Sequence, residues 1–148
     1  CRAGTQSAVY SGKLTCAGVY NSPELDEIAW YGGNSKAEYE GAFDSSSWNE
    51  KQIDHQRAGT QPVGLKKANA WGLYDMLGNV MEWCQDWYGD YNYSAGKNPV
   101  GLRSGTYRVI RGGGWSSQAM NCRAARRSGE KPGYRSSSVG FRVVRTLP

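Results

Sequence analysis

One histidine, two phenylalanines and three methionines occur in 148 residues. A single histidine excludes a two-histidine, one-carboxylate iron site built within the chain. It also leaves a Ser–His–Asp arrangement only His55, and no nucleophile elbow is present. The cysteines, Cys1, Cys16, Cys84 and Cys122, have no C-x-x-C spacing, which argues against a zinc cluster. An even count allows disulfides, but the sequence sets neither their connectivity nor the compartment. No apolar run is long enough to span a bilayer, and the start carries no signal-peptide pattern. Phosphate-loop and dinucleotide frames are absent as well, because Arg111-Gly-Gly-Gly114 lacks the required spacing. No internal repeat is evident.

Glycine is plentiful, at 20 residues, and aromatic residues make up 12% of the chain. Glycine at that density suits tight turns better than helices or strands. The length fits one domain, which buries about 70% of its unfolded surface. The expectation is a folded, loop-rich α+β domain with little regular secondary structure.

Charge is unevenly placed. Arg103–Pro148 carries ten Lys/Arg against one acid, Glu130, whereas residues 1–102 carry eight basic against twelve acidic residues. The arginines are scattered along expected strands, not clustered in a run. They are therefore read as bonding loop carbonyls and pairing with acids of the first half, not as a nucleic-acid surface.

Ser22-Pro23-Glu24 reads as a helix start, with Ser at the N-cap and Pro at the first helical position. Leu25, Ile28 and Ala29 share one face, so a short helix is expected over 23–31. Residues 34–62 have weak periodicity and read as a long surface loop, with His55 a solvated loop histidine. Strands are expected over 80–88, 107–111, 122–127 and 139–145, the last with Val139, Phe141 and Val143 on one side. Asn92-Tyr93-Ser94 matches the glycosylation pattern. Three glycines, Gly112-Gly113-Gly114, follow a strand and imply a bulge or a close backbone approach.

Ala70–Tyr88, A-W-G-L-Y-D-M-L-G-N-V-M-E-W-C-Q-D-W-Y, holds three of the six tryptophans and reads as a core spine. Within it, Asp75 and Glu82 carboxylates and the carbonyls of Gly78 and Val80 form the best cation candidate, around a Gly78-Asn79 turn. Cys122 lies among Arg123, Arg126 and Arg127, which can depress a thiol pKa. The alternatives are a small buried hydrophobe or a disulfide half with Cys84.

The Ala70–Tyr88 block, then Arg108-Val-Ile-Arg-Gly-Gly-Gly-Trp115, Cys122-Arg-Ala-Ala-Arg126 and Val139-Gly-Phe-Arg142 resemble the formylglycine-generating enzyme (sulfatase-modifying factor) family. Cys1-Arg-Ala-Gly-Thr5 and Asp26–Tyr31 also look like family segments. The resemblance implies a C-type-lectin-like fold and a chain missing the N-terminal third of the domain. Family enzymes oxidise a sulfatase cysteine with oxygen and copper, using a cysteine pair in Gly-Gly-Ser-Tyr, one residue, Cys, four residues, Cys. Here Gly113-Gly114-Trp115 fits the start and Gly114 replaces the serine. Ser117 stands at the first cysteine position; counted forward Cys122 falls at the second, whereas counted back from Ala124-Ala125-Arg126 a gap is needed and it lands elsewhere. A hydroxyl is a poor copper(I) ligand, so copper is not expected.

By position, Asp75, Gly78, Val80 and Glu82 resemble a family calcium site. Ergothioneine-forming sulfoxide synthases share the domain but take their iron histidines from another one. In diversity-generating retroelement receptors the segment like Trp115–Arg135 varies and contacts ligand. That implies a display surface at Trp115, Ser116, Ser117, Gln118, Asn121 and Arg126, serving a protein or peptide ligand. A neighbouring domain of the same polypeptide is the other implied partner.

Overall fold

The computed structural model describes residues 1–91 and 101–145. The glycosylation pattern at Asn92 lies outside the described residues. The elements are α1 (Pro23–Asp26), β1 (Ala29–Trp30), β2 (Phe43–Asp44), β3 (Arg57–Ala58), β4 (Leu77–Gly78), β5 (Met81–Trp87), β6 (Arg108–Arg111), β7 (Arg127–Glu130) and β8 (Val139–Gly140), with a 3₁₀ turn at Ala119–Asn121. Turns and irregular segments join them, as the glycine content implies. Among the described residues no helix is long and apolar enough to cross a membrane.

The main sheet runs β7-β6-β5-β8, with β5 antiparallel to β6, β6 antiparallel to β7, and β8 parallel to β5. Register along β5 and β6 slips between Trp83 and Trp87, where the long strand carries a bulge. Two small pairs accompany it. Parallel β1 and β4 align Ala29 with Leu77 and Trp30 with Gly78. Antiparallel β2 and β3 align Phe43 with Ala58.

The core sits between α1, β1, β4 and the 3₁₀ turn, and includes Val9, Leu25, Ile28, Ala29, Tyr31, Leu77, Ala119 and Cys122. Apolar burial there is the main favourable term in folding. Tyr31 is fully buried and its phenol is satisfied: it accepts from Ser22 N at 2.9 Å and bonds Gln52 Oε1 at 2.5 Å. Burial pushes its pKa up to about 12.

Several expectations are corrected. The helix covers Pro23–Asp26 only, because Ala29 and Trp30 must extend to pair with β4. Ala70–Tyr88 is not a buried spine throughout: Trp71 is 67% exposed, while Leu77 and Gly78 are buried. Its strand forms at Met81–Trp87, close to expectation. Residues 122–126 form no strand. Their backbone is committed locally and far away, with Cys122 N on Ala119 O at 3.1 Å and Ala124 N on Ala8 O at 2.8 Å. The strand begins instead at Arg127. At the C-terminal end only Val139–Gly140 pairs, and Phe141 and Val143 stand exposed beyond it.

His55 is likewise buried and not a solvated loop residue. Its Nδ1 lies 2.8 Å from Ser45 Oγ, and its ring meets Trp48 edge-on at 6.2 Å. Burial and the Lys51 ammonium lower its pKa. The folded state therefore resists protonation while the unfolded chain binds its proton near 6.5. Stability is full above that value and falls as pH drops through it. Melting between pH 7.5 and 5.5 should show a loss of a few degrees that His55→Gln, neutral throughout, lacks. Parallel curves would contradict this.

Candidate functional site

Two glycine motifs lock together at the centre of the molecule. Gly78 N donates to Gly112 O at 2.9 Å, Trp115 N to Asn79 O at 2.7 Å, and Asn79 N to Trp30 O at 2.7 Å. Asp75, Gly78, Asn79, Gly112 and Gly113 all have positive φ, a region glycine enters freely and Asn or Asp tolerates. The triple glycine makes the close approach anticipated: a Cβ on Gly113 would lie 2.8 Å from Cys122 Sγ.

Asp75, Gly78, Val80 and Glu82 come together, lining one cavity of about 440 Å³ with Val63, Leu73, Phe141 and Arg142. Asp75 Oδ2 accepts from Gly64 N at 2.8 Å, while Oδ1 is buried without a hydrogen-bond partner. Such an orphaned oxygen fits a cation. Glu82 departs from the expected ligand role. Both its oxygens lie in the fork of Arg142, at 2.7–3.2 Å. Arg142 also donates to the carbonyls of Tyr74 (2.9 Å) and Asp75 (3.3 Å), and the Glu82 carboxylate raises its pKa. Among the described residues no group of three or more His, Cys, Asp or Glu side chains forms a metal cluster. The donors that fit a cation are thus the Asp75 carboxylate and backbone carbonyls, with Glu82 holding Arg142 beside them. Sequence reasoning assigned no role to Arg142; its only signal was its place in the Val139–Arg142 block.

Ser117, Asn121 and Arg126 line a second cavity, of about 230 Å³, together with Arg111, Gly113 and Glu130. Ser117 closes a turn: its hydroxyl accepts from Gly114 N and its amide donates to Gly114 O, both at 2.9 Å. Its carbonyl accepts from Gly32 N at 3.0 Å. Gln118 and Arg126 are exposed, and Ser116 is half-buried. Trp115 is not an exposed anchor. It is 5% exposed, stacks on Trp48 at 6.2 Å and donates its indole N–H to Ser137 O at 3.2 Å.

Cys122 has no accessible surface, and its thiol pKa is pushed up to about 12 by burial. The neighbouring arginines do not depress it, since their side chains do not reach the core. Cys122 and Cys84 are both free, so the buried-hydrophobe alternative describes Cys122 and the disulfide does not. Among the second-half arginines, Arg142 pairs with an acid of the first half and two others bond backbone carbonyls. Arg108 caps Gln85 O and covers the Trp87 ring at 3.7 Å, and Arg127 bonds Gly89 O and covers Tyr91 at 3.9 Å.

Comparison with known proteins agrees with this geometry. The model of the sulfatase-modifying factor enzyme 1-like domain matches residues 1–147. Serine/threonine-protein kinase pkn1 of Chlamydia caviae is 36% identical over 160 residues, covering 91% of this chain and 26% of that protein. The formylglycine-generating enzyme of Mus musculus is 35% identical over 110 residues, covering 72% and 28%. The solved structure of Treponema denticola variable protein 1 superposes with a TM-score of 0.65 at 34% identity, covering 95% of this chain and 41% of that one. The chain thus spans between about a quarter and two-fifths of these relatives' lengths. With the four sequence blocks meeting around the Gly78-Asn79 and Gly112–Gly114 turns, and the family model matching nearly end to end, the chain belongs to the formylglycine-generating enzyme (sulfatase-modifying factor) family.

Proposed function

We propose that this chain is a ligand-binding module of the family that does not carry out copper-dependent cysteine oxidation. One observation carries the reading. At the first thiol position stands Ser117, whose hydroxyl is committed to the Gly114 amide, and the second thiol, Cys122, is enclosed in the core. Copper(I) prefers two accessible thiolates, and neither position offers one. What Ser116, Ser117, Gln118, Asn121 and Arg126 present, with the exposed Met120 among them, is a mixed polar and apolar surface suited to protein or peptide contact. The likeness to a protein named variable protein 1 supports that reading. The pkn1 match supports a second, in which the module serves a neighbouring domain of a longer polypeptide.

Peptides selected on the protein from a displayed library should bind through this surface. Arg126→Glu should weaken the selected peptides by about tenfold or more, as loss of charge-assisted hydrogen bonds does. Selection that enriches nothing, or peptides indifferent to Arg126→Glu and Asn121→Lys, would count against the surface.

Calcium is proposed as a structural ion held by the Asp75 carboxylate with the carbonyls of Gly78 and Val80. Glu82 contributes by pairing with Arg142, which lines the same cavity. The ion would tie the turn to β5 and satisfy the buried oxygen. At a concentration one hundred times its Kd, calcium would add about 2.7 kcal/mol, raising the melting temperature by roughly 5–10 °C. A midpoint unchanged by chelator would remove the ion from the account.

A further inference from the structure

We propose that a third cavity, which shares Glu82 and Arg142 with the first and Arg111 with the second, binds a small organic anion: a carboxylate carrying an apolar body. The cavity is about 530 Å³, within the range of small-molecule sites. Arg111, Arg123 and Arg142 line it against a single acid, Glu82. Glu82 is already paired with Arg142 at 2.7 Å. Among the described residues no carboxylate pairs with Arg111 or Arg123, and residues 92–100 contain no acid in sequence. Among the described residues Arg111 donates to neutral acceptors at long range, Ala124 O at 3.3 Å and Tyr91 OH at 3.5 Å. Its position is fixed, since β6 places Arg111 opposite Glu82 on one side and Arg127 on the other.

Two guanidiniums lining a half-enclosed space, with the one acid there already paired to Arg142, attract an anion, and the enclosed side of the cavity strengthens the pairing. A guanidinium fork matches a carboxylate in two parallel hydrogen bonds. The rest of the wall is largely apolar, with Met76, Leu77, Trp83 and Val144. Trp83 supplies a ring for an apolar body, which excludes bare inorganic anions as the preferred occupant.

Cys84 lines the same cavity and is half-buried. Burial raises its pKa, and the Arg111 guanidinium, which lines the same cavity, acts in the opposite sense. This makes Cys84 a built-in reporter. Alkylation by iodoacetate or iodoacetamide forms the same S–C bond by thiolate attack and expels iodide in both cases; only the reagent's charge differs. The exposed Cys16 is the internal reference.

The rate ratio of iodoacetate to iodoacetamide, read by peptide mass spectrometry on the folded protein, should be about tenfold higher at Cys84 than at Cys16, as charged clefts concentrate counter-ions. Arg111→Gln with Arg123→Gln should bring the two ratios together. The exposed Arg123→Gln alone should lower the Cys84 ratio part-way and serves if the double variant misfolds. 4-Phenylbutyrate should slow iodoacetamide at Cys84 but not at Cys16, whereas 4-phenylbutylamine should leave both unchanged. Equal ratios at the two cysteines, a Cys84 inert to both reagents, or equal protection by the amine would overturn the proposal. The Cys84 ratio is read without any peptide, so this test and that of the Ser116–Asn121 surface fail independently.

Discussion

Gly78→Ala should destabilise the protein by roughly 3–5 kcal/mol, a fall in melting temperature on the order of 10 °C or more for a domain of this size. Two costs add at this position. The φ of Gly78 is +76°, where a Cβ costs about 1–2 kcal/mol. The added Cβ would also lie 2.3 Å from Trp30 O and 2.7 Å from Trp30 N. Those are backbone atoms of β1, so no side-chain rotation relieves the clash. β1 would have to move, and it is flanked by Ile28 and Tyr31, which are fully buried. The Asn79 N to Trp30 O bond at 2.7 Å would go with it. Gly72→Ala is the matched control. Its φ is +74°, but nothing lies within 4 Å of the added Cβ, so only the conformational cost of about 1–2 kcal/mol applies. Thermal or urea melting of the two variants should separate them clearly. Equal losses would mean that the close approach of Gly78 to Trp30 carries no weight in stability.

The paired turns were legible in sequence because they rest on local rules. Gly78-Asn79 and Gly112-Gly113-Gly114 announce backbone that other residues cannot adopt, and β5 announces itself through alternation at Met81, Trp83, Gln85 and Trp87. What failed depends on distant partners. Residues 122–127 look strand-like, but Ala124 N is taken by Ala8 O, more than a hundred positions away. His55 looks solvated until Trp48 and Ser45 fold over it. Trp71 and Trp115 have the same intrinsic apolarity, and only the fold exposes one and buries the other.

The candidate sites divide in the same way. Asp75, Gly78, Val80 and Glu82 meet as spacing around a turn suggested. That Glu82 would be claimed by Arg142, 60 positions on, had no local signature. Ser117, Asn121 and Arg126 share a cavity because the 3₁₀ turn at Ala119–Asn121 folds the segment back on itself. The enclosure of Cys122 follows from the same turn, since Ala119 and Cys122 point together into the core.

Ser117 and Cys122 should form no copper(I) site, a difference of orders of magnitude in affinity from a pair of accessible thiols. Two thiolates hold copper(I) far more tightly than a hydroxyl and a buried thiol. A thiol with a pKa of about 12 gives almost no thiolate at neutral pH. Cys1 and Cys84 line a different cavity and must be removed from the readout. The decisive measurement is therefore a copper(I) titration of the folded Cys1→Ser, Cys84→Ser protein against a competing chelator, with and without Cys122→Ala. The chelator should keep the copper in both proteins. One equivalent of copper held against the chelator, and released by Cys122→Ala, would contradict it.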